Sequence, residues 1–304
     1  MQSFASRLMP AVMMLRGAKR RYRSVELTRK SVARQTARPG STAPGAKFRK
    51  RARITETAFS GWRVWQVAPL AGIPDRRALY LHGGAYVYEI TPQHWHLVTD
   101  LANTTNTTFL VPIYPLAPGT TASVIVPLAT DLAQALIDEV GAPNVTLLGD
   151  SAGGGMALAV AMQLRDRQVP APHLTVLISP WLDISGTDPQ LEVIDPTDPW
   201  LAVPGSHAAG ALYRGELPED DPLVSPINGD LSRLGRVLMF SGTRDILNAD
   251  AQRLVRRAVD EGLRLDFVEG PGMIHVWPLL PIPEARVARQ VIREAMANQA
   301  RNRA

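Results

Sequence analysis

The sequence predicts an α/β fold in which a mostly parallel central sheet is flanked by helices. Three observations predict it. From Trp62 onward, apolar runs of strand length alternate with helix-like stretches, the pattern of βαβ units. The Gly, Ser, Asp and His residues that interrupt this pattern fall just after apolar runs, where the loops leaving strand carboxyl ends place functional groups in such folds. The chain is 304 residues long and 45% hydrophobic, enough for one large α/β domain with a sizeable core.

Taken in order, the expected strands are RALYL (77–81), TTFLVPIY (107–114), NVTLLG (144–149), LTVLIS (174–179), RVLMFSG (236–242) and LRLDFVE (263–269). Between them lie helix-like stretches at 122–140, 154–167 and 249–262, and a closing one at 283–299. One region breaks the alternation. Residues 185–231 are rich in Pro, Asp and Gly, contain one short helical stretch, and separate two strands by far more than an ordinary loop. This segment is read as an inserted lid that joins the N-terminal segment over the top of the sheet. The expected division is a basic cap or arm at 1–55 and an α/β domain at 56–304, with the lid at about 185–231.

Composition excludes several chemistries. There is no cysteine, so disulfides, thiolate metal sites and cysteine nucleophiles are all ruled out. No run reaches the ~18 uninterrupted apolar residues of a transmembrane helix. The first residues, MQSFASRLMPAVMMLRGAKRRYR, hold a short apolar run broken by Pro10 and followed by basic residues, and are read as retained in a cytoplasmic protein. The net charge of +5 hides an asymmetry: residues 1–55 carry fifteen Lys and Arg against the single acidic Glu26, a net +14, which leaves −9 for the rest. Such an arm is either a solvated basic helix or leader, or a contact for an anionic membrane surface. It lacks the aromatic interleaving of a single-strand nucleic-acid binder.

Two motifs carry chemistry. In LLGDSAGGG, Gly149 and Gly153 flank Ser151 between a strand and a helix, the spacing of a nucleophile elbow, where a tight turn pushes the hydroxyl out over the sheet edge. A serine hydroxyl needs a base, and the base needs an orienting carboxylate. Asp245 follows the strand ending at Gly242, and His275 follows the last strand in a loop opened by Gly270, Pro271 and Gly272. Asp183, at the start of the lid, and Asp250, one turn into a helix, compete with Asp245 for the carboxylate role but stand less close to a strand end. Of the other histidines, His94 and His96 are assigned to helix packing, and His173 and His207 to structure. In the second motif, YLHGGAY, an apolar run ends on His82 and then gives up side chains at Gly83 and Gly84, as expected where something approaches the backbone closely.

Taken together, HGGAY, IYPLAP, GDSAGG, SPWLDIS, SGTRD and GMIHV stand in an order that resembles the hormone-sensitive-lipase-like family of α/β-hydrolases, over about 225 residues from Tyr80 onward. Within it the chain is most similar to bacterial esterases of the kind that include heroin esterase and monoterpene lactone hydrolases. The resemblance implies an α/β-hydrolase fold with a cap built from the N-terminal segment and an insertion. It implies ester hydrolysis by Ser151, Asp245 and His275 without cofactor or metal. It also implies an oxyanion hole from the backbone N–H groups of Gly83, Gly84 or Ala85 and of Ala152, with Gly83 and Gly84 bare so that the oxyanion can reach them. Ala85 stands where the family has a third glycine, and would be strained if that position needs a positive φ. Asp150 is read as holding the elbow and His82 as a loop anchor.

The expected function is therefore hydrolysis of small to medium hydrophobic esters or lactones through an acyl-enzyme. The expected partner is a small-molecule ester and no nucleic acid, with peripheral contact to an anionic membrane and a homodimer left open. An amidase or formamidase on the same triad and a non-catalytic ligand-binding member of the fold are the competing readings.

Overall fold

The computed structural model describes residues 2–297. Ahead of the sheet, the N-terminal segment forms α1 (Phe4–Leu15), α2 (Val25–Ala37) and the single turn α3 (Ala46–Arg49). Ser3 and Ser24 begin the first two as N-caps, their hydroxyls accepting the N–H of Ser6 and Leu27. Then follow β1 (Arg53–Phe59), β2 (Trp62–Ala68), β3 (Arg76–Leu81), α4 (Pro92–Thr105), β4 (Thr107–Ile113), α5 (Ala122–Val140), β5 (Val145–Asp150) and α6 (Ala152–Asp166). The remainder is β6 (Leu174–Ile178), α7 (Gln190–Ile194), α8 (Val203–Arg214), β7 (Arg236–Arg244), α9 (Asn248–Glu261), β8 (Arg264–Ile274) and α10 (Pro283–Ala297). The last two residues of the helix predicted at 283–299 lie outside the described residues.

The eight strands form one sheet in the order β1-β2-β4-β3-β5-β6-β7-β8, parallel from β4 to β8 and antiparallel at the β1 and β2 edge. That edge hairpin is absent from the sequence reading. Every residue of β1 is exposed or half-buried, so it shows no apolar alternation. The available signal is the Ser60-Gly61 pair between the strands, both at positive φ, as a two-residue hairpin turn requires.

The sheet order reverses at β3, which has β4 on one side and β5 on the other. Loops leaving β3 and β5 diverge there and open a crevice. Along the buried strands side chains alternate between two cores. Leu79, Leu81 and Leu147 join the core that includes residues of α5 and α6, whereas Ala78, Tyr80 and Leu148 join the core that includes residues of α4 and α10.

Both cap segments cross this crevice. The insertion forms two helices, α7 and α8, where the sequence suggested one. Gly205 of α8 lies so close to Tyr22 that a Cβ there would stand 2.3 Å from the Tyr22 Cα. Lys19 pairs with Asp195 of the insertion at 2.8 Å. The start of α1 is tied to α10: Glu284 accepts the Ser3 N–H at 2.6 Å and the hydroxyls of Ser3 and Ser6 at 2.9 and 2.8 Å. Burial opposes ionisation of Glu284, but these hydrogen bonds outweigh it and hold the carboxyl down at about 2. Among the described residues no helix is long and apolar enough to cross a membrane.

Candidate active site

Ser151 sits between β5 and α6 at φ 54° and ψ −123°, a strained backbone for a non-glycine residue. The turn is possible because its neighbours have no side chains. A Cβ on Gly149 would stand 2.1 Å from the Gly153 carbonyl oxygen, and one on Gly153 2.0 Å from that of Leu81. The nucleophile elbow is thus wedged between its own helix and β3.

The serine hydroxyl lies 3.0 Å from His275 Nε2, and His275 Nδ1 lies 2.8 Å from Asp245 Oδ2. An ionised carboxylate only accepts, so Nδ1 carries the proton and Nε2 is free to take one from the serine. Asp245 is fixed in turn by the Leu247 N–H on Oδ1 at 3.0 Å. The structure therefore brings Ser151, Asp245 and His275 together. The competitors lie apart from the imidazole: Asp183 pairs with Arg253 at 2.9 Å, and Asp250 stands beside the same arginine. Burial and the neighbouring Asp183 push the Asp250 carboxyl up to about 7.

His275 follows β8 directly, and the predicted glycine-rich loop before it is part of the strand. β8 continues through Gly270 to Ile274 because β7 also runs on to Arg244 past an irregularity at Gly242, where a Cβ would stand 2.4 Å from the Met273 carbonyl oxygen. The Gly272 N–H is held by the Thr243 hydroxyl at 2.7 Å. The base thus rests on a rigid strand end.

Burial alone would lower the His275 pKa, but the charge and hydrogen bond of Asp245, with Asp198 and Asp150 nearby, bring it above its usual value. Asp198 was missed by the sequence reading. It belongs to the insertion, is buried, and accepts the N–H groups of Trp200, Leu201 and Ile246 at 2.7, 2.9 and 2.9 Å. Burial and the Asp245 charge raise its carboxyl to about 6. The only hint in the sequence is the Asp-Pro-Trp run, in which an aspartate side chain can cap the next amides.

The oxyanion loop departs from expectation in its physical cause. The bareness of Gly83 and Gly84 serves protein packing: a Cβ on Gly83 would stand 2.3 Å from Asp150 Oδ2, and one on Gly84 2.3 Å from the Tyr88 carbonyl oxygen. The Gly83 N–H donates to Asp150 Oδ1 at 3.0 Å, so it is already committed. No backbone hydrogen bond in the loops and turns uses the N–H of Gly84, Ala85 or Ala152. Gly84, Ala85 and Tyr86 all have positive φ, so Ala85 does occupy a backbone region that glycine favours.

Asp150 also accepts the Tyr80 hydroxyl and faces His94 Nε2 at 3.2 Å. Burial would raise this carboxyl, yet His94 facing it and the hydrogen bonds of Tyr80 and Gly83 hold it below its usual range. His94 therefore does more than pack a helix: its Nδ1 accepts the Thr91 N–H at 2.9 Å, closing the first turn of α4, while Nε2 reaches Asp150. His94 stands 56 positions before Asp150 in the sequence, which hides the pairing. His82 stacks on Tyr114, 4.4 Å between ring centroids, and its carbonyl accepts the Tyr114 hydroxyl at 2.6 Å. Burial, with His94 beside it, lowers its pKa to about 4, so it stays neutral. His96 lies by Phe48, His173 Nε2 by the Ala295 carbonyl, and His207 beside Gly186 in the insertion.

A cavity of about 420 Å³ opens above Ser151 and His275. Met9, Val12 and Met13 of α1 line one side; Trp181, Trp200 and Leu201 line another, with Trp200 edge-on to His275 at 5.7 Å. Among the described residues no cluster of three or more His, Asp or Glu is placed to hold a metal ion.

The profile of the α/β hydrolase fold family matches residues 78–279. Over 228 residues the chain is 35% identical to a triacylglycerol lipase of Mycobacterium tuberculosis, a match that covers 75% of this chain and 47% of that protein, so the chain spans about half that relative's length. It is 34% identical over 228 residues to an acetyl-hydrolase of Streptomyces hygroscopicus, covering 71% of this chain and 73% of that one. Among solved structures, an esterase from the bacterial hormone-sensitive lipase family superposes with a TM-score of 0.83 at 26% identity, over 98% of this chain and 99% of that chain.

Proposed function

The chain belongs to the α/β hydrolase fold family, among esterases and lipases related to hormone-sensitive lipase, and from that premise we propose that it is a serine carboxylic-ester hydrolase working through an acyl-enzyme. The observation that carries this reading is the unbroken chain of hydrogen bonds from Ser151 Oγ through His275 to Asp245 at the floor of an apolar cavity. His275 Nε2 takes the proton of Ser151 as the oxygen attacks the ester carbonyl. The N–H groups of Gly84, Ala85 and Ala152 receive the developing oxyanion, since that of Gly83 is held by Asp150. The tetrahedral adduct collapses, and His275 gives its proton to the leaving alcohol. Water, deprotonated by the same imidazole, then attacks the acyl-enzyme; this second adduct collapses, the acid leaves, and His275 returns its proton to Ser151 Oγ.

Met9, Val12, Met13, Trp200 and Leu201 favour small to medium hydrophobic esters or lactones as substrates. A non-catalytic receptor has no use for a fully connected triad. The amidase alternative uses the same groups on a poorer leaving group. Rates on p-nitrophenyl acyl esters, lactones and matched acyl anilides decide between them: the ester reading expects turnover of esters far above that of anilides, and faster anilide hydrolysis overturns it.

A further inference from the structure

Half of the exposed large apolar side chains fall in one short stretch. Of twelve among the described residues, Phe4, Leu8, Met14, Leu15, Val25 and Leu27 lie between residues 4 and 27. Scattered exposed apolar residues need no explanation, but a cluster on one element marks an interaction surface. On α1 the clustering has an order. Phe4, Leu8 and Leu15, with the small Ala11 between, recur at helical spacing along one stripe, and Phe4 and Leu15 are 78% and 89% exposed. By helical position Arg7 and Arg16 stand on either side of that stripe, Arg16 also reaching the rim of the catalytic cavity, and the exposed Arg20 and Arg23 follow. None of these four arginines has an ion-pair partner among the described residues. The neighbouring face of the same helix is the wall of the catalytic cavity through Met9, Val12 and Met13.

We propose that the outer face of α1 docks onto an anionic lipid surface, burying Phe4, Leu8 and Leu15 at the headgroup boundary while the flanking arginines meet lipid phosphates. An apolar stripe edged with cations is the pattern of an interfacial helix, and the net +14 of residues 1–55 supplies the attraction. A second copy of the chain is a poorer occupant, because a two-fold contact would set this cationic arm against itself. A nucleic acid would use the arginines and leave Phe4 and Leu15 without a role. Docking in this pose brings the wall of the cavity next to the lipid. That the lipid layer then supplies the ester rests on the function proposed above; the docking itself does not.

The test is co-sedimentation of the full chain with vesicles of phosphatidylcholine alone and of phosphatidylcholine with roughly one third phosphatidylglycerol. Full binding is expected only with the anionic vesicles, falling steeply as salt rises. Combined Phe4→Ser, Leu8→Ser and Leu15→Ser changes should weaken it at least ten-fold, while hydrolysis of a soluble p-nitrophenyl ester stays unchanged, since none of the three lines the cavity. Arg7→Gln with Arg20→Gln, exposed changes that threaten no packing, should weaken it about five-fold per charge. Ser151→Ala should bind like the parent chain, which separates failure of docking from failure of the catalytic reading. Equal sedimentation with neutral vesicles, binding unchanged in both sets of variants, or binding only to an added oligonucleotide or to a second copy would each overturn the proposal.

Discussion

The Gly83 N–H donates to the Asp150 carboxylate at 3.0 Å, so the loop that carries the oxyanion donors is pinned to the residue preceding the nucleophile. The glycine is bare because that carboxylate fills the place of its side chain. Loop and elbow therefore form one unit, with His94 and Tyr80 holding its shared carboxylate from behind.

Asp150→Asn keeps an oxygen for Gly83 and Tyr80 but turns an amide N–H₂ toward the His94 N–H. It should lower kcat by up to about 10²-fold, the scale of one misplaced oxyanion donor, with little change in KM. His94→Ala should lower kcat in the same way but less, again with little change in KM. Steady-state kinetics on a p-nitrophenyl ester check this, and a rise in KM with kcat unchanged would assign the unit to ground-state binding.

The imidazole must be neutral to accept the serine proton, and its pKa lies above the ordinary 6.5. kcat/KM should therefore rise with pH through a limb above that value. Asp198 contributes to the upward shift, so Asp198→Asn should move the limb to lower pH. A limb that stays put in the variant would remove Asp198 from the electrostatics of the base.

Gly205→Ala puts a methyl carbon 2.3 Å from the Tyr22 Cα, so α8 and the N-terminal segment must separate. Overpacking of this kind costs about 1–3 kcal/mol. Proteolysis between α1 and α2 should speed up in the variant at a point where the sheet domain stays intact.

Glu284, held at about 2 against an ordinary 4.5, contributes stability that is fully present above pH 4.5 and is lost as pH falls toward 2. Glu284→Gln should thus be less stable than the parent chain near neutrality, and the gap should close across that acid window. Denaturant midpoints for both chains at a series of pH values read the gap directly.

The parallel strands and the order Ser, Asp, His were legible because buried parallel strands are near-continuous apolar runs and the reactive residues punctuate their ends. The β1 hairpin strand was not, since its exposed residues show no period. His275 looked loop-borne because Gly270 and Gly272 signal a turn, whereas a bulged pairing with β7 keeps them in the strand. Asp198 and the His94–Asp150 contact come from elements brought together only by folding: 47 residues separate Asp198 from Asp245 and 56 separate His94 from Asp150, and no local pattern announces either.

Covalent labelling tests most directly whether Ser151 is the nucleophile. Reaction with an alkyl p-nitrophenyl phosphonate, followed by mass spectrometry of the peptides, should place one phosphonyl group on Ser151 in step with loss of esterase activity. Ser151→Ala should take up no label and hydrolyse the ester no faster than the residual level left by binding and the oxyanion hole. Label on another residue, or parent-like turnover by Ser151→Ala, would contradict the account.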